Sequence, residues 1–189
     1  MNALWSVLIF MSFLNFEGDL SMNGVRIHDT KESLDSLELE VVSKNDRLIE
    51  YIAPDGNGFS VQLDHGKVVY MENGWYEDET STKPLFTNFE FGKTSLRDVR
   101  NYFGNSGFNH KRKIGFVTAT DLIMYNCFEL DPTKKEVLVT ISRVSLKEDV
   151  NQETMPDKLK LDAVIIADRD YLNMRWGKEK VYDSVTKKK

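Results

Sequence analysis

The chain has 189 residues, with 25 Lys and Arg against 30 Asp and Glu, and 41% apolar and 29% charged residues. These proportions exclude a disordered tail and a multi-pass membrane protein, and the length is enough to bury a core without a metal or disulfide staple. The single cysteine, Cys127, excludes an intramolecular disulfide and any multi-cysteine zinc site, and within Leu122–Phe128 it reads as a buried structural thiol.

Residues 3–16 carry no charge. The run is short for a spanning helix and fits the apolar region of a secretory signal, which predicts an exported, periplasmic or envelope-associated protein with 3–16 as its membrane tether or export segment. The competing reading is a buried N-terminal element of a cytoplasmic protein, because no Lys or Arg precedes the run and no small-x-small cleavage site follows it. Beyond this segment, 1–22, the chain divides into an acidic half, 23–84, and a basic half, 85–189. Six basic and 15 acidic residues give −9 up to Pro84, and 19 basic and 15 acidic residues give +4 after it. An acidic half of this strength points to a partner with a basic surface and away from nucleic acid.

In chain order, Asp29 stands three residues before Glu32, with Leu34 and Leu37 at helical spacing, predicting a capped helix over 30–37. Segments 47–53, 59–64 and 67–72, rich in β-branched and aromatic residues, predict three strands separated by Pro54–Gly58 and Asp64–Lys67 turns. Ser95 and Asp98 form a capping pair for a second helix with Leu96, Val99 and Phe103 on one face and Gly104 as its stop. Strands are then expected over 121–130, 136–144 and 161–167, where Val137, Val139 and Ile141 alternate with their neighbours. Helix followed by three strands occurs twice. This predicts an α+β fold of two helix-plus-three-stranded antiparallel meander halves, for which tandem duplication and chance recurrence both account. Leu96, Val99, Phe103, Val137, Val139, Ile141, Val164 and Ile166 are the expected core.

The run Phe91-Gly92-Lys93-Thr94, with Val99 and Phe103-Gly104 before a hairpin, resembles the small envelope modules of the BamE/SmpA type and the similarly folded β-lactamase-inhibitor proteins. The resemblance covers roughly 91–145 and, more faintly, 25–72. It implies a non-catalytic, protein-binding role in the envelope. The chain departs from the pattern in lacking a lipoprotein cysteine near its start and a Pro after the helix-ending Gly, which leaves lipid anchoring unsupported.

No motif carries an evident reaction. Gly92-Lys93-Thr94 lacks the first glycine of a phosphate loop, with Thr87 in its place, and the Asp55-Gly-Asn-Gly opening of a calcium loop meets Gly66 where a bidentate Glu is needed. His28, His65 and His110 have no ligand spacing, so no metal and no cofactor is expected. His110-Lys-Arg-Lys113 reads as a solvated loop. The strongest binding candidate is Trp75, Tyr76, Glu77, Asp78 and Glu79, where aromatic anchors beside carboxylates suit an interface with a basic protein. The expected function is a non-catalytic binding module, of inhibitor or immunity type, that occludes a basic partner. An envelope assembly scaffold is the neighbouring alternative. A hydrolase or nuclease using Asp64, Asp121, Asp168 and Asp170 is the enzymatic one.

Overall fold

The computed structural model describes residues 20–77, 81–131, 133, 135–178 and 180–182. A short ribbon of β1 (Ser21–Met22) and β2 (Val25–Arg26) leads through α1 (Lys31–Leu34) into β3 (Glu40–Lys44), β4 (Leu48–Ile52), β5 (Gly58–Asp64) and β6 (Lys67–Gly74). After α2 (Leu96–Phe103) come the short β7 (Phe108–His110) and β8 (Gly115–Val117), then the long β9 (Asp121–Asp131) and β10 (Glu136–Ser145). The described chain closes with α3 (Met155–Lys158), β11 (Lys160–Asp168), α4 (Arg169–Trp176) and β12 (Lys180–Tyr182).

All strands except the first two join one antiparallel sheet, ordered β12-β7-β9-β10-β11-β6-β5-β4-β3, with β8 also pairing β9. This corrects the expected repeat of two helix-plus-meander halves. Among the described residues the molecule is mostly β, with 45% strand against 15% helix. Both meanders exist, but β6 and β11 pair along Tyr70–Gly74 and Ala163–Ala167 and fuse them. The reason is visible in β11, where Ala163 to Asp168 are all buried: a strand apolar on both faces needs a neighbour at each edge and cover on each side.

Alternation divides the core. Ile49, Val61, Met71, Leu138 and Ile166 point to one face, which α1, α2 and the 85–95 connection cover. Val137, Val139, Ile141 and Ile165 point to the other, where α4 inserts Leu172. The expected core residues are buried except Phe103, which is half-buried and stacks on Phe128 at 4.5 Å. α2 forms as expected, its Ser95 hydroxyl accepting from Asp98 N–H and its Gly104 left-handed at φ 64°. The helix expected over 30–37 is shorter. Thr30 is its N-cap and makes no side-chain cap bond, while Asp29 instead accepts from Arg26 N–H at 2.8 Å. Among the described residues, no helix is long and apolar enough to cross a membrane; the 3–16 run lies outside them.

Candidate functional site

On β4, β5 and β6 the residues that alternate with the core are Glu50, Ser60, Gln62 and Glu72. A face of this composition is left to water, and α4 covers only its neighbouring half. Two cavities open on it and share Glu72. One, of about 320 Å³, is bordered by Val42, Glu50, Ser60, Glu72 and Tyr76. The other, of about 220 Å³, lies between α4 and the sheet.

Tyr76 lies across β5. A Cβ built on Gly58 would come within 2.6 Å of its Oη, so the ring rests where only glycine leaves room. Its side of the groove remains open, with 61% of the residue exposed. Two buried asparagines hold this segment in place. Asn57 donates to Ser81 C=O at 2.8 Å and accepts from Tyr76 N–H at 3.3 Å. Asn73 donates to Gly58 C=O at 3.1 Å and accepts from Leu85 N–H at 2.9 Å. Both amides are therefore satisfied on each end, which removes the cost of burying them.

The other members of the expected binding cluster separate. Trp75 is half-buried and stacks on Phe91 at 6.3 Å with a 12° interplanar angle. Gly92, at φ 69°, makes this seat, since a Cβ there would meet the indole at 2.5 Å. Trp75 thus serves packing more than surface contact. Glu77 is exposed, with φ 64°, and pairs with the Arg143 guanidinium, which also reaches Asp162 at 3.0 Å. Arg143 ties the loop of the acidic half to a strand of the basic half. Asp78 and Glu79 lie outside the described residues.

Glu72, which borders both cavities, is a perturbed acid. Burial pushes its carboxyl above the usual range, against the opposing effects of the Tyr70 hydroxyl, which donates to it, and of the Lys113 charge. The same burial, reinforced by Glu72, holds the Tyr70 phenol well above its ordinary value. Burial likewise lifts Asp162, with Arg143 pulling the other way. Cys127 is pushed up to about 12 by burial, which keeps it a thiol and makes it a poor nucleophile.

The motifs with catalytic associations resolve into structure. Gly92-Lys93-Thr94 forms a turn in which Thr94 Oγ1 accepts from Glu90 N–H at 2.8 Å. Asp55 accepts from the Asn57 amide at 3.0 Å within its hairpin. His110 is fully buried, with Nδ1 at 2.7 Å from Gly177 C=O, whereas Lys111 and Arg112 are exposed. The carboxylates of the enzymatic alternative have separate duties: Asp64 ends β5, Asp121 accepts from Thr120, Asp168 caps α4 and Asp170 pairs with Lys135. Among the described residues, no group of three or more His, Cys, Asp or Glu is placed to hold a metal ion.

Sequence reasoning missed Asn57, Asn73, Gly58 and α4. Asp168 was legible as a helix cap before Tyr171, with Gly177 as the stop, but a helix with one buried residue, Leu172, shows no amphipathic stripe. Comparison with protein-family models, curated proteins and solved structures gave no match.

Proposed function

We propose that the chain is a non-catalytic protein-binding module that engages a basic partner protein on the open face of β4–β6 and occludes that partner's working surface. The observation that carries this reading is Tyr76, an aromatic ring fixed on Gly58 yet 61% exposed, beside the Glu50 and Glu72 carboxylates. An aromatic ring next to carboxylates is complementary to a lysine or arginine side chain: the ring attracts the cation through its π face and the acids pair with it. A rigid exposed Tyr also loses little conformational entropy on binding. The −9 charge of the first 84 residues adds a long-range field that steers a basic protein toward this face. We place the module in the envelope on the strength of the uncharged 3–16 run and the resemblance of 91–145 to envelope modules.

The test is affinity capture from the native source with wild type and a Tyr76→Ala, Glu50→Lys variant, followed by purification of the captured protein and measurement of its association rate. Both changed side chains are exposed, so the variant keeps its fold. A basic protein that binds wild type and loses at least about tenfold in affinity with the variant, with association slowing as salt rises, supports the reading. Capture unaffected by the variant, association indifferent to salt, or no retained protein each counts against it.

A further inference from the structure

The cavity between α4 and the sheet has a lining unlike that of the Tyr76 groove. Lys113, from the link between β7 and β8, holds its ammonium 4.3 Å from the Tyr125 ring centroid and 5.9 Å from that of Trp176. Arg175, from α4, borders the same cavity. Among the described residues neither cation makes an ion pair, whereas Lys93, Arg97, Lys135 and Lys180 each do. On the sheet side stand Tyr70 and Glu72, hydrogen-bonded to each other, and Gln62, which accepts from Tyr171 Oη at 2.5 Å. Two cations and a part-buried carboxylate make an amphoteric lining.

We propose that this cavity is a binding site for a free α-amino acid, with the ligand carboxylate held by Lys113 and Arg175 and its ammonium by Glu72. Charge complementarity selects the class. A simple anion would satisfy the two cations but lie against Glu72, and a simple amine would satisfy Glu72 but lie against the cations; a zwitterion meets both. Size agrees, because a cavity of about 150 Å³ holds benzene and this one, at about 220 Å³, has room for a compact polar molecule. The aromatic walls matter as well. Tyr125 and Trp176 keep the Lys113 ammonium at the cavity by cation–π attraction, so little order has to be imposed when the ligand arrives. Burial holds the Glu72 carboxyl above its usual range in spite of the Lys113 charge, and a ligand ammonium beside it would add to that opposing effect. The cavity shares Glu72 with the Tyr76 groove, and Gln62 and Glu72 with the partner-binding face.

The experiment is a titration of the whole chain with each standard L-amino acid to about 10 mM, well past a millimolar dissociation constant, read by amide and indole shifts in NMR spectra. At least one is expected to bind and to move the Trp176 indole. Its carboxamide and its deaminated analogue are each expected to bind about tenfold more weakly or worse, the scale of a lost charge-assisted hydrogen bond. Lys113→Gln and Arg175→Gln each weaken the amino acid by a similar factor, while Tyr76→Ala leaves it unchanged. Glu72→Gln abolishes the preference for the amino acid over its deaminated analogue. Circular dichroism of each variant establishes that it is folded. Three results overturn the proposal: no amino acid binds, binding survives Lys113→Gln and Arg175→Gln together, or inorganic phosphate and the deaminated analogue bind as tightly as the amino acid, which would make the cavity an anion site. Loss of partner binding in Tyr76→Ala alongside intact amino-acid binding keeps the two readings separate.

Discussion

Single atoms decide much of this molecule. Gly92 and Gly104 both have positive φ, 69° and 64°, so an alanine at either is strained in backbone. They differ in what a methyl would meet: the Trp75 indole at 2.5 Å for Gly92 and nothing within 4 Å for Gly104. Gly104→Ala should cost about 1 kcal/mol by the backbone alone, and Gly92→Ala about 1–3 kcal/mol more through displacement of the indole, as read from urea denaturation. Glu72 permits a pH prediction. Its folded carboxyl titrates above the ordinary 4.5, so in the ionised form it opposes folding, and stability recovers as pH falls through the raised value toward 4.5. Glu72→Gln keeps an acceptor for Tyr70 and should therefore be more stable than wild type at neutral pH. Its advantage should shrink on acidification, which a series of melting curves checks. Neither the Gly92 contact nor the buried state of Glu72 is legible in sequence, because Trp75 and Gly92, and Glu72 and Lys113, meet only after the sheet has closed over them.

At the scale of elements, local signals were as reliable as the hydrogen bonds that stand behind them. The α2 start was readable because Ser95 and Asp98 satisfy each other's backbone N–H groups within four residues. The α1 start looked alike in sequence, but Asp29 found Arg26 N–H first, and the helix runs only from Lys31 to Leu34. Ser95→Ala should therefore lower stability by about 1 kcal/mol, whereas Thr30→Ala, which removes no cap bond, should cost only a few tenths. Thermal denaturation of the two variants side by side makes the comparison. The six expected strands were legible for the same local reason, through β-branched and aromatic content and, in β10, through alternation. The brief β7, β8 and β12 were not, since three residues carry too little pattern to read and are extended by what lies beside them: Val181 opposite Asn109, Phe116 opposite Ile123.

Across the whole molecule, the junction of β6 with β11 is the feature from which the rest follows. The main core draws Ile49, Phe59 and Met71 from the acidic half and Phe91, Phe128, Leu138 and Ile166 from the basic half. This main core cannot close within either half alone, even though the second core, around Leu172, comes from the basic half apart from Tyr70. We expect the separate pieces 20–84 and 85–182 to lack cooperative unfolding, and the intact chain to unfold in one transition by circular dichroism and fluorescence alike. Two independent transitions would show that the junction contributes little. The open face of β4–β6 also belongs to this scale, because α4 reaches only as far as Gln62, through Tyr171, and stops. By itself the sequence determined where the main strands turn, the six longer segments that form the two meanders, where α2 begins and ends, and that one half is strongly acidic. All of these depend on residues within about ten positions of each other, or on composition. The tertiary structure alone decided that two meanders become one sheet, that Trp75 packs while Tyr76 faces water, and that Glu72, Lys113 and Arg175 share a cavity. Those outcomes rest on contacts between residues far apart in the chain, and an alternating pattern specifies which face of a strand is buried without specifying which strand will lie beside it.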